Sequence, residues 1–141
     1  MSTASAALVA LAFTWLGLVL GISFIEAPLK FRAPNVTLQI GLGIGRLVFR
    51  ALNTVEALIA VALVVLLVAS DQPGRAATAL GVAIACLACQ LLFVSRPLAR
   101  RSNAVLAGED GPRSRAHFFY IGFELIKVVA LILGGAFVLA G

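Results

Sequence analysis

Four long stretches almost free of charge constrain this chain more than any other feature. Ala4 to Ile25 and Ala76 to Ser95 carry no charged residue. Ala51 to Ser70 carries Glu56 alone, and Phe118 to Gly141 carries Glu124 and Lys127. A helix rises about 1.5 Å per residue, so about 20 residues cross a hydrocarbon core of about 30 Å. Each stretch is long enough to span, and none shows the alternation of a barrel strand. Helices also satisfy their own backbone in lipid. The expected fold is all-α: an integral membrane four-helix bundle, one transmembrane domain over residues 1–141, with spans near 4–26, 46–70, 76–96 and 116–140. Composition agrees, since 62% of the residues are hydrophobic and 12% charged. A soluble domain is nearer half apolar and a quarter charged, and a disordered chain is more polar still.

The first span lacks a basic leader, and Glu26-Ala27-Pro28-Leu29 after it is a poor cleavage site, so it reads as a retained helix and not a signal peptide. Basic residues set the expected orientation. The first connection carries Lys30, Arg32, Arg46 and Arg50, and the third carries Arg96, Arg100, Arg101, Arg113 and Arg115. The second has Arg75 alone, and nothing basic precedes the first span. This asymmetry places both termini outside the cytoplasm, as expected of a multi-pass protein of the cell inner (plasma) membrane. The net charge of +5 is then mostly topology. It points to the lipid bilayer, and to anionic lipids at the inner loops, and not to nucleic acid.

Two segments look alike. Phe24-Ile25-Glu26-Ala27-Pro28-Leu29-Lys30-Phe31-Arg32 and Phe93-Val94-Ser95-Arg96-Pro97-Leu98-Ala99-Arg100-Arg101 share the pattern F-[IV]-x-x-P-L-x-x-R. Arg46 and Arg115 stand equally far beyond their prolines, and Glu56 and Glu124 nearly so. One account is a duplicated helical hairpin, two in tandem, with Glu56 and Glu124 across a shared axis. The other is that any span ending at a proline under the positive-inside rule resembles its neighbour.

Ionisable groups inside a membrane cost of order 2.5–3.5 kcal/mol each, so they usually face a bundle interior and often mark function. Arg46, Arg50, Asn53 and Glu56 fall on one stripe of the second span, and His117, Tyr120, Glu124 and Lys127 on one stripe of the fourth. Glu26 closes the first span, one turn before Lys30. Pairing between helix neighbours, or snorkelling to the interface, explains some of these. Three helices presenting charge at one depth point further, to a cytoplasm-facing polar cavity lined by Glu26, Arg46, Asn53, Glu56, His117, Glu124 and Lys127. Such a cavity suits binding or movement of a proton, a cation or a small amphiphile, without a cofactor and within a homo-oligomer. The alternatives are a membrane enzyme working on a lipophilic substrate through Arg50, Glu56 and Tyr120, and a structural or assembly subunit. A metal site is the weakest use, because the chain has one His and di-iron bundles need two Glu-x-x-His elements.

Lesser motifs add little. Cys86 and Cys89 sit mid-span, where a redox pair lacks the accessible helix N-terminus it needs, so packing is the expected role. Gly41-Leu42-Gly43-Ile44-Gly45 has no preceding strand for a phosphate loop and reads as flexible or close-packed backbone. Gly17 and Gly21 form a small-residue face suited to close helix approach.

Two family resemblances follow from particular residues. Gly21-Ile22-Ser23-Phe24, Ala27-Pro28, Phe31-Arg32 and Gly45-Arg46-Leu47-Val48-Phe49 resemble a family of small four-helix membrane proteins of unknown function, whose eukaryotic relatives are linked to platinum-drug resistance. That likeness implies a fold and a membrane. Arg50-Ala51-Leu52-Asn53-Thr54-Val55-Glu56 is similar to the second-helix motif of the MAPEG family, the membrane glutathione transferases. Here Arg50 and Asn53 stand one residue closer than in that family, and the proline that usually follows the Glu is absent. The second resemblance implies that Arg50, Asn53 and Glu56 hold glutathione between protomers of a trimer, with Tyr120 near the thiol.

Overall fold

A computed structural model describes residues 1–94, 100, 103 and 115–141. Helix α1 runs from Thr3 to Arg32 as one rod: an α-helical part Thr3–Val19, a π-helical segment Leu20–Glu26, a turn Ala27–Leu29 and a 3-10 turn Lys30–Arg32. Helix α2 is Leu38–Ala69, and α3 is Gly74–Cys89 continued by a π-helical Gln90–Val94. Helix α4 is Arg115–Ala140. All four are long and apolar enough to cross a membrane. Arg96, Arg101, Arg113 and most of the second copy of the proline motif lie outside the described residues, as do the side chains of Arg115 and His117.

Both α1 and α2 outrun the boundaries that hydropathy suggests at 26 and 46. Hydropathy marks where apolar side chains stop, whereas hydrogen bonding continues until a cap intervenes. Thr37 supplies that cap for α2, its Oγ1 accepting the Ile40 N–H at 3.1 Å. The intervening turn contains Pro34 and a left-handed Asn35 at φ 67°, a conformation that asparagine tolerates better than most residues. The glycine run at 41–45 is therefore helical, and Gly41 and Gly45 are buried where Phe31 and Lys30 of α1 lie against them.

The core is a heptad-like seam. Buried positions on α1 are Leu8, Ala12, Trp15 and Val19. On α4 the seam runs Glu124, Lys127, Leu131 and Val138. These spacings of three, four and seven keep one face of each helix turned inward. Helix α4 is central, packing most extensively on α3 and α1, while α2 rests mainly on α1. Small residues permit the closest approach: a Cβ on Gly134 would stand 2.5 Å from Leu80 Cδ2, and one on Gly135 2.6 Å from Phe13 Cζ. Gly17 and Gly21, by contrast, face open space.

The two ends of the bundle differ. The terminal end gathers both chain termini and the turn at 70–73. Ser2 caps α1 by accepting the Ser5 N–H, Gln72 Nε2 donates to Ser5 Oγ at 3.0 Å, and Arg75 donates to the Gly141 carbonyl at 3.3 Å. The basic end gathers Lys30, Arg32, Arg46 and Arg50.

Candidate functional site

Seam positions normally hold apolar residues, yet one layer of this core is charged. Trp15 of α1, Glu56 of α2, Gln90 of α3, and Glu124 and Lys127 of α4 meet there, with Glu56 and Lys127 0% exposed, Glu124 1% and Gln90 2%. Depth along each helix explains the meeting. Trp15, Glu56 and Lys127 each lie about 18–20 Å of helix rise from the terminal end, and Gln90 and Glu124 about 24 Å.

Lys127 Nζ is the hub, 2.5 Å from Glu56 Oε2 and 2.5 Å from Glu124 Oε1. Trp15 Nε1–H donates to the same Glu56 oxygen at 2.6 Å, and its ring lies 5.9 Å from the ammonium. Gln90 Nε2 donates to Glu124 Oε1 at 2.8 Å and to the Tyr120 carbonyl at 3.3 Å. One oxygen of each carboxylate is thus doubly engaged. The other, Glu56 Oε1 and Glu124 Oε2, is buried without a hydrogen-bond partner. Two carboxylates against one ammonium leave one net negative charge if all three are ionised.

Between the layer and the basic end lies a second group. The Tyr120 hydroxyl is buried without a hydrogen bond, and Ser23 Oγ of α1 faces it in the same condition. The Tyr120 ring meets Phe49 of α2 edge-on at 5.8 Å and 86°. Lys30 lies over the Phe49 and Phe31 rings at 5.8 and 5.6 Å, and 3.7 Å from Glu26.

The residues singled out in the sequence therefore divide. Glu56, Glu124 and Lys127 converge in one sealed layer rather than lining an open vestibule. Glu26 and Tyr120 are half-buried between that layer and the basic end, and Asn53 is half-buried on α2. Arg46 and Arg50 are exposed, beside a surface cleft that also includes Gly43 and Leu47. Arg50 and Glu56 point about 120° apart at roughly 100° per residue, so the stretch that resembles a glutathione motif does not converge within one chain. Cys86 is buried, Cys89 half-buried, and both are free. Among the described residues no three His, Cys, Asp or Glu side chains gather as metal ligands.

Sequence reasoning missed Trp15, Gln90 and Ser23. Gln90 had a usable signal, being an amide in an otherwise apolar span. Trp15 had a weaker one, a ring N–H that seeks a partner when buried.

Fold and site define an all-helical protein whose four apolar, span-length helices enclose a fully buried charged layer. Comparison with known protein families, with curated proteins and with solved structures finds no match for the chain.

Proposed function

We propose that this is a multi-pass membrane protein that binds one positive charge, a proton or a small monovalent cation, at the Glu56–Lys127–Glu124 layer. The observation that carries this reading is the charge imbalance in a fully buried place. An uncompensated charge in low dielectric is expensive enough that a group neutralises instead. The layer reaches neutrality by holding one further positive charge. A proton shared between the carboxylates needs no added space, and the two unpartnered oxygens, Glu56 Oε1 and Glu124 Oε2, are where it would bind. Every helix contributes a group to this balance: Trp15, Glu56, Gln90, and Lys127 with Glu124.

The basic residues orient the bundle with the basic end in the cytoplasm, so the layer is nearer that side. Glu56 and Glu124 each follow a helix that contains a π-helical segment. This favours the duplicated-hairpin account, because π-helical Leu20–Glu26 and Gln90–Val94 fall at matching places in the two copies.

Infrared spectroscopy of the protein in lipid nanodiscs at neutral pH tests the reading. Wild type is expected to show the carbonyl band of a buried protonated carboxyl group, or to bind Na⁺ or K⁺ in titration. Glu56→Gln and Glu124→Gln each leave one carboxylate facing one ammonium, so both variants are expected to lose the band and the cation. A wild-type protein with neither property overturns the proposal.

A further inference from the structure

A buried proton site works only if protons reach it, and the two directions out of the charged layer are unlike. Towards the terminal end the core is apolar, with Ala12, Leu63, Leu80 and Leu131 fully or almost fully buried. None of these side chains can accept or pass a proton. Towards the basic end, three oxygen-bearing side chains follow in order of depth. Tyr120 lies about 6 Å of helix rise below Glu124 on α4. Ser23 faces it from α1, and Glu26 follows Ser23 within the same π-helical segment. The Tyr120 hydroxyl, Ser23 Oγ and Glu26 Oε2 are each buried without a hydrogen bond. A buried hydroxyl without a partner costs about 1–3 kcal/mol, so the two hydroxyls of Tyr120 and Ser23, next to a carboxylate oxygen, call for a reason beyond packing. The wide turns of a π-helical segment often accompany functional sites, and this one carries two of the three groups. The Glu26 side chain is 35% exposed, which opens the file at the basic end.

On the reading that the layer holds a proton, we infer that Tyr120, Ser23 and Glu26 form its exchange path to the basic end. A hydroxyl both donates and accepts, so the hop is balanced. The carboxyl O–H at Glu124 or Glu56 breaks as Tyr120 accepts its proton and releases its own to Ser23. Ser23 does likewise towards Glu26, where an O–H forms. No electrons are exchanged, and both hydroxyls are restored. Tyr120 and Ser23 relay the proton themselves, and Lys30, 3.7 Å from Glu26, marks the basic end of the path.

The test is the rate of hydrogen–deuterium exchange of the buried carboxyl band after transfer of nanodiscs into D₂O. Tyr120→Phe and Ser23→Ala are expected to keep the band and to slow its deuteration about tenfold or more, a barrier increase of about 1.4 kcal/mol. Glu26→Gln is expected to slow it as well. Ser23→Ala removes one oxygen from a half-buried position, which keeps the test open should Tyr120→Phe misfold. Wild-type exchange rates in both Tyr120→Phe and Ser23→Ala, with the band present, overturn the path and leave the proton site standing. A band missing from wild type overturns the path, and overturns the site as well when wild type also binds neither Na⁺ nor K⁺.

Discussion

The terminal and basic halves of this bundle solve the same packing problem with different chemistry. In the terminal half, Leu, Ala, Val and Gly interdigitate around Leu80 and Leu131, and contact itself holds the helices together. In the basic half the same inward seam positions carry Glu56, Gln90, Glu124 and Lys127. Lipid tails are as apolar as leucine, so an apolar seam gains only packing in a membrane. A charged seam gains strong interactions but collapses if one member is lost. The comparison teaches that the dry half is built to be stable, and the polar half to hold charge in a defined place.

The sharpest way to break the comparison is Lys127→Met. It strands two buried carboxylates and is expected to cost about 3–5 kcal/mol, read as lost resistance to denaturant in micelles. The triple variant Lys127→Met, Glu56→Gln, Glu124→Gln should recover most of that loss. If it does not, the layer is structural after all. Next in size is Leu131→Ala in the dry half, expected to cost about 2–3 kcal/mol through the cavity it leaves. A negligible effect there would deny that packing holds that half. Trp15→Phe keeps an aromatic ring, though a smaller one, and removes the donor to Glu56, a charge-assisted bond worth about 1.5–3 kcal/mol, and the same denaturation assay reads it. Smallest is Arg75→Gln at the exposed terminal end, expected to shift stability by no more than about 0.5 kcal/mol. A loss comparable to that of Leu131→Ala would show the end contacts to be essential.

Much of this was written in the sequence, and the gaps have physical causes. Four helices long and apolar enough to span follow from hydropathy, because such stretches keep charge out of an apolar surround. Glu56, Glu124 and Lys127 stood out for the same reason. Their mutual distances did not, since helix order around a bundle depends on which small faces meet, here Gly134 against Leu80 and Gly135 against Phe13. Arg46 and Arg50 do not share the buried face of Glu56, because a stripe drawn over three turns drifts around the helix. The drift is enough to put Arg50 outside and Glu56 inside. Gln90 and Trp15 carry no charge to single them out, whereas the layer is completed by just such neutral donors.

The turn at 70–73 gives the bundle a mechanical character. It joins α2 to α3, and Gln72 donates to Ser70 at 3.2 Å and to Ser5 of α1 at 3.0 Å, so three helices are pinned together at this end. Measured from that pinned end, as along the arm of a lever, Glu56 lies about 20 Å along α2. A tilt of about 10° carries its carboxylate roughly 3.5 Å on such an arm, further than the 2.5 Å that joins it to Lys127. A small angular movement at a fixed fulcrum is therefore enough to make or break the central ion pair.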